Sequence, residues 1–190
     1  MHFNSSSVDF SIQFGIYLAA TATFLGVDII DCVSRKCIQK LRDCPLATHV
    51  SWSRRTTHLA VHIPTQNEAL IYACSSCSLL RHTWTIIHRI DLKPPGIGYT
   101  MPQYSISLRY PWLLCLNNDE VEMYDCETGV STISSPDHQC VPFLAGMSFN
   151  GLTVAVCYKK SGRIDFMHVK SALKSCELSL FAHQVFILTI

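Results

Sequence analysis

The chain has 190 residues, enough for one or two domains with a real hydrophobic core. Charged residues make up 15%, well under the roughly 25% of typical soluble domains, while the apolar share of 48% is ordinary. A net charge of +1 without any Lys or Arg run offers nucleic acid no electrostatic footprint, and a surface so poor in charge is either covered by a partner or poorly soluble.

From the N-terminus, Phe14–Leu25 is apolar enough to imitate the core of a signal peptide. Asp9 precedes it in place of a basic segment, Asp28 follows closely, and the stretch falls short of the ~20 apolar residues a bilayer demands. It is read as a buried strand, with a signal peptide as the alternative. The segment Gly15–Leu41 as a whole reads strand, turn, strand, turn, strand. Gly26 stands at the first turn and Ser34-Arg35-Lys36 at the second.

That pattern returns three times. The first unit, about 6–46, holds Tyr17-Leu18-Ala19-Ala20 and Val27-Asp28-Ile29-Ile30-Asp31; the second, about 47–93, holds Ser51-Trp52-Ser53, His58-Leu59-Ala60-Val61 and Leu70-Ile71-Tyr72-Ala73. The third, about 101–136, holds Trp112-Leu113-Leu114-Cys115 and Val121-Glu122-Met123-Tyr124-Asp125, and the fourth, about 137–180, Thr153-Val154-Ala155-Val156 and Ile164-Asp165-Phe166-Met167. Aligning Leu18, Leu59, Leu113 and Val154 gives spacings of 41, 54 and 41. The two shorter ones match the roughly 40–45 residues of a four-stranded propeller blade. The long interval contains Pro94-Pro95-Gly96, which cannot continue a central strand, so 94–100 reads as an inserted loop. Apolar residues run continuously and are rich in β-branched types, so only Ser171–Leu180 could pass as a helix. Residues 181–190 look like the start of a fifth, incomplete unit.

These residues resemble the WD40 repeat family. Ser51-Trp52-Ser53 with Leu59-Ala60 looks like the first two strands of a blade, and Ile30-Asp31 and Tyr124-Asp125 stand where the family has Trp-Asp. Ser34-Arg35 and Thr128-Gly129 match the turn that follows, although no true Trp-Asp or Gly-His occurs. The first two units also resemble the propeller scaffold of histone-methyltransferase complexes, through Phe10-Ser11, Leu18-Ala19 and Trp52-Ser53-Arg54. The resemblance implies an all-β, WD40-like β-propeller region of about four four-stranded antiparallel sheets, binding other proteins. It also implies a structural role for Asp31 and Asp125, whose carboxylates would satisfy free backbone N–H groups at a tight turn. Four units fall short of the commonest seven-bladed ring, and an unclosed array leaves two apolar sheet faces bare. The expectation is therefore a fragment, a truncated isoform, or an array that another chain completes.

No residue set makes a convincing active site. Cys74-Ser75-Ser76-Cys77 has zinc-knuckle spacing, but its nearest companions, Cys37 and Cys44, are badly spaced and no helix follows to lower a thiol pKa. His58 and His62 share a strand face roughly 13 Å apart at about 3.3 Å per residue, too far to chelate one ion. They and His82 and His88 read as surface or rim histidines. Asp28, Glu122 and Asp165 recur at equivalent places, which spreads them apart and leaves them solvated or supporting turns. The lone Arg pair Arg54-Arg55 lacks the flanks of a phosphoinositide site. No metal, cofactor or enzymatic activity is expected. The ten cysteines read as reduced thiols, most of them in apolar strands such as those around Cys32, Cys115 and Cys157. The function read from the sequence is an intracellular scaffold, in cytoplasm or nucleus, for assembly of a multiprotein complex. Trp84, Tyr99, Tyr104 and Arg109 are the expected partner contacts on loops, and Trp52 and Trp112 are expected in the core. The alternatives are a propeller-based enzyme, a phosphoinositide-binding propeller, and a secreted disulfide-bonded β protein.

Overall fold

The computed structural model describes residues 7–13, 16–53, 57–74, 83–94, 104–117, 120–134, 142–148, 151, 153–158, 162–168 and 183–184. Every regular element among them is a β-strand, and the strands form four antiparallel four-stranded sheets. The chain divides into two compact units, one made of Met1–Pro94 with Cys126–Gly129 and the other of Pro95–Asp125 with Val130–Ile190.

The first sheet runs in chain order through β1 (Val8–Gln13), β2 (Ile16–Thr23), β3 (Gly26–Asp31) and β4 (Lys36–Leu41). Thr23 pairs with Gly26, so Phe24 and Leu25 alone make the turn. Gly26, the first residue of β3 after that turn, sits at φ +132, a conformation that glycine alone takes up without steric cost. A second constraint fixes it as glycine, because a Cβ there would collide with the carbonyl oxygen of Leu41 on β4. At the next turn the carboxylate of Asp31 accepts hydrogen bonds from the Val33 amide (2.9 Å) and the Ser34 hydroxyl (2.6 Å), while Arg35 takes φ 57.

The second sheet has the same order, β5 (His49–Trp52), β6 (His58–Ile63), β7 (Glu68–Cys74) and β8 (Trp84–Asp91). It packs face to face on the first. Leu18, Ala20, Ala22, Val27 and Ile29 meet Leu59, Val61, Ile63, Leu70 and Tyr72 in one core, closed by Trp52 and Trp84. The two indoles meet edge to face, centroids 5.0 Å apart, a geometry worth about 1 kcal/mol beyond the area buried. Polar clamps hold the edges of this contact. Asp9 accepts the Trp52 amide on its carboxylate (2.7 Å) and the Trp52 indole N–H on its backbone carbonyl (3.1 Å). Gln39 and the Trp84 backbone exchange a reciprocal pair of hydrogen bonds, at 3.0 and 3.2 Å.

In the other unit the third sheet contains β9 (Ser105–Arg109), β10 (Trp112–Leu116), β11 (Val121–Asp125) and β12 (Ser131–Ser134). The fourth contains β13 (Pro142–Met147), β14 (Thr153–Tyr158), β15 (Ile164–His168) and β16 (His183–Gln184). Leu114, Leu116, Val121 and Met123 of the third sheet pack against Val154, Val156 and Tyr158 of the fourth, with Trp112, Ala145, Met147 and Met167 at the margin.

Several expectations change here. Leu18 and Leu59, aligned above, face one another across the same core, so they cannot be equivalent positions of successive repeats. The ladders supply the correct alignment: Leu18 pairs with Asp31, His58 with Ala73, Trp112 with Asp125 and Thr153 with His168. The intervals are then 40, 54 and 41, from 18 to 58, 58 to 112 and 112 to 153. The shorter hairpin of the first unit moved it one residue out of step, and one residue exchanges the two faces of a strand. His183–Gln184, expected to open a fifth unit, instead pairs with β15 as the last strand of the fourth sheet. Cys32 lies in a turn rather than a strand. The inserted loop at 95–100, the helix candidate Ser171–Leu180 and Cys77 lie outside the described residues.

Two substitutions check this account. Gly26→Ala is expected to destabilise the protein by about 3 kcal/mol through its unfavourable φ and the collision with Leu41, read as a lower urea midpoint. Asp9→Ala, which leaves the Trp52 amide without its charged acceptor, is expected to cost about 2 kcal/mol by the same measurement.

Candidate interaction face

In a sheet with successive side chains on opposite faces, each strand has two chemistries to settle. We call front the face carrying the residue paired with the end of the third strand (Leu18 in the first sheet), and back the opposite face. The fronts of the first and third sheets are filled, by the backs of the second and fourth respectively. The front of the fourth sheet is different. Two cross-strand rows run over it, Leu144–Cys157–Ile164 and Gly146–Ala155–Phe166. Small residues form the floor, where a Cβ on Gly146 would meet nothing, and large ones form the walls. The result is an open apolar trough of about 420 Å³ lined by Leu144, Gly146, Thr153, Ala155, Cys157 and Phe166. Leu144 keeps 55% of its surface exposed and Ile164 45%.

The back of the first sheet is the counterpart. Phe10 is 67% exposed and Tyr17 46%, with Val8 beside them. Two charged residues lie on this face, the cross-strand neighbours Asp28 and Lys40, and Arg42 pairs with Asp28 at 3.0 Å. Neither face was singled out as a site from the sequence. The signal was present in β14, whose Val-Ala-Val-Cys-Tyr run is apolar on both faces, a pattern typical of strands covered on both sides.

The expected partner contacts fare differently. Trp84 is buried in the core against Trp52, and Tyr104 is buried as well, so neither offers the exposed loop position on which the expectation rested. An indole inside a strand interface removes more apolar area from water than one on a loop, which is why the core takes it. Burial, helped by Cys115 and Glu122 nearby, pushes the Tyr104 phenol up to about 12. Arg109 closes β9 half-buried and donates from Nη1 to the Leu108 carbonyl at 2.8 Å. Tyr99 lies outside the described residues. Asp125 ends β11, and its amide bonds the Val130 carbonyl across the turn. Trp52 is buried and Trp112 half-buried.

The polar residues weighed as chemistry are dispersed. Glu122 is buried rather than solvated and accepts the Tyr124 hydroxyl at 2.7 Å. Asp165 pairs with Arg163 at 2.6 Å. No group of three or more His, Cys, Asp or Glu among the described residues is placed to hold a metal ion. The seven described cysteines are free thiols. No described helix is long and apolar enough to cross a membrane.

His62, read as a surface histidine, is wholly buried on β6. Its Nδ1 and that of His49 both lie within hydrogen-bond reach of the Thr48 hydroxyl, at 3.0 and 3.1 Å, and the two rings are 5.9 Å apart. An alternating strand of Leu59, Val61 and Ile63 fills one face, which leaves His62 on the other with Ala60.

No family model matches the chain, and no curated protein matches it. Among solved structures it is similar to the β-propeller domain of Cps50 (Swd1) from Myceliophteria thermophila, with a TM-score of 0.64 at 14% identity. The match covers 86% of this chain and 53% of that one, so the chain spans about half the length of that domain. The fold is that of a β-propeller. At this identity the likeness carries the architecture alone, with four-stranded sheets packed front to back as blades.

The buried histidine supplies a pH prediction. Burial, with the neighbouring His49 ring, holds His62 down to about 4 against an ordinary 6.5. A lowered folded pKa means the unfolded chain takes up the proton first. The stability is complete above pH 6.5 and is lost as pH falls toward 4, by about 3 kcal/mol for this group. Urea unfolding at pH 7 and pH 4 is expected to show that loss, and His62→Gln to remove most of this share of the pH dependence.

Proposed function

We propose that the chain is a WD40-like propeller segment that works as a protein–protein interaction scaffold within a multiprotein complex inside the cell. The observation that supports it is the pair of exposed apolar faces. Phe10 and Tyr17 lie on one, and Leu144, Ile164 and Phe166 on the other, each on a four-stranded sheet. Soluble chains seldom leave such patches in water unless a partner covers them. Binding energy at protein interfaces concentrates on a few large apolar or aromatic anchors in well-packed surroundings, and these side chains are of that kind. The low charge content points the same way, since interface cores are depleted in charge. Free thiols suit a reducing compartment. Catalysis is the weaker reading, because the titratable groups described above are spread over different strands instead of converging on a cleft.

The test is quantitative co-purification of the tagged chain from its native cells, beside the variant Leu144→Glu/Phe166→Glu. A control, Val33→Glu, changes an exposed residue in the turn between β3 and β4, outside the fourth sheet that the double variant alters. Stoichiometric protein partners are expected with the native chain and the control, with at least a tenfold loss in the double variant. Recovery of no stoichiometric partner under conditions that preserve the fold would overturn the scaffold reading.

A further inference from the structure

The described arginines differ in what becomes of their charge. Arg42, Arg89 and Arg163 are exposed, yet each has a carboxylate partner, in Asp28, Glu68 and Asp165 respectively. Arg35 stands exposed in a turn. Arg109 reverses the pattern. It is half-buried, and no carboxylate among the described residues pairs with it. Its Nε is shut away from solvent without an acceptor, and its Nη1 donates to the Leu108 carbonyl of its own strand at 2.8 Å. A guanidinium carries five donors in a fixed fork. Taking its charge out of water costs free energy that a nearby carboxylate ordinarily offsets, and here the chain provides none among the described residues.

The setting narrows what could fill that place. Arg109 ends β9 and pairs with Trp112, the first residue of β10, across the two-residue turn Tyr110–Pro111. The turn between β13 and β14 closes on this pair, so that a Cβ on Gly151 would stand 3.4 Å from the Arg109 Cβ and 3.9 Å from the Trp112 ring. The described amides of that turn are already committed. Gly151 donates to the Ser148 carbonyl at 2.9 Å, and Thr153 to the Ser148 hydroxyl at 3.0 Å. Arg109 is thus the donor left for an incoming anion, beside a half-buried indole. Asp125 lies in the same cross-strand row beyond Trp112, and no ion pair joins it to Arg109.

We propose that Arg109 receives an aspartate or glutamate carboxylate from an acidic peptide segment of a protein partner, with an apolar neighbour of that carboxylate lying on Trp112. The proposal rests on the reading of the chain as an interaction scaffold, and it adds the chemistry of one contact separate from the uncovered sheet faces. Hydrogen bonds between a guanidinium and a carboxylate are charge-assisted and among the strongest a protein makes. They gain further where the cation has already lost part of its water, because the desolvation cost is met by folding and not by binding. Arg and Trp are also the side chains on which interface energy concentrates. A nucleic-acid backbone would call for several cations in a row, whereas this site has one and the whole chain carries a net charge of only +1.

The experiment is fluorescence anisotropy of the purified chain with two sets of short labelled peptides. One set has Asp or Glu next to Leu or Phe, and the matched set has Asn or Gln in place of the acid. The native chain is expected to bind the acidic set at least about tenfold more tightly, as a hydrogen bond to a charged group implies. That preference is expected to shrink between about 50 and 500 mM salt. Arg109→Met, which keeps an aliphatic stem beside Gly151, is expected to abolish the preference and leave binding of the amide set unchanged. Arg109→Lys keeps the charge without the planar fork and is expected to retain a smaller preference. Far-UV circular dichroism and the urea midpoint report whether each variant keeps its fold, and Arg109→Gln replaces Arg109→Met should that variant unfold.

Equal binding of the two sets by the native chain overturns the proposal, and so does a preference that survives loss of the Arg109 charge. Displacement of the acidic peptides by oligothymidylate in an Arg109-dependent way would assign the contact to nucleic acid and overturn it as well. If the native chain shows no preference while the tagged chain still recovers stoichiometric partners, this contact is refuted and the scaffold reading stands. If the preference depends on Arg109 and no stoichiometric partner is recovered from cells, the scaffold reading fails and the peptide contact stands.

Discussion

Face-to-face burial of one four-stranded sheet on the next is the interaction on which this structure depends. An isolated antiparallel sheet with two apolar faces has nowhere to hide either of them. Each side chain such as Leu59, Ile63 or Leu70 gains about 1.5–3 kcal/mol only when a neighbouring sheet removes it from water. Between the first and second sheets that burial is made specific by Trp52 against Trp84 and by the clamps of Asp9 and Gln39 at the edges. Dispersion and apolar burial supply the bulk of the free energy. The hydrogen bonds set the register in which it is realised, since a shifted sheet would leave the Trp52 indole N–H and the Gln39 amide without partners in a buried setting.

The same constraint explains why the molecule's interest lies at its uncovered faces. A sheet built for stacking is apolar on both sides, so the end of any stack exposes a surface chemically like a core. The trough over Gly146 and Ala155 and the projecting Phe10 and Tyr17 have that character. They differ from an enzymatic cleft, which gathers a few polar groups with perturbed acidity around one point. Perturbed groups such as His62 on β6 and Tyr104 just before β9 are buried and owe their shifts chiefly to desolvation. Their consequence is for stability and its dependence on pH.

Much of the architecture was legible in the residues. Repeated apolar runs of β-branched character, broken at intervals near 40, announce four-stranded units. Gly26 and the Ser34–Lys36 segment mark their turns. Local pattern is silent about faces. Leu18 and Leu59 look alike in a linear alignment, yet a two-residue hairpin in the first unit puts them on opposing surfaces of one core. Residue type places Trp84, Tyr104, Glu122 and His62 toward water, and all four are buried. Aromatic and titratable side chains are ambivalent in that way. Their bodies favour burial and their polar atoms require a partner, so their place depends on what a neighbouring sheet offers.

By itself the sequence determined the kind of object this is: an all-β chain of stacked four-stranded units, with glycine at a turn and low charge throughout. Those features follow from local sterics and from period-two patterning, which need no knowledge of distant residues. Only the tertiary structure decided which face of each strand is core and which is left open. That choice depends on pairing register and on which sheet lies against which, and both are set by contacts between residues far apart in the chain. The uncovered trough on the fourth sheet is the outcome of those contacts, and Leu144, Gly146 and Phe166 had no common signature until pairing brought them onto one surface.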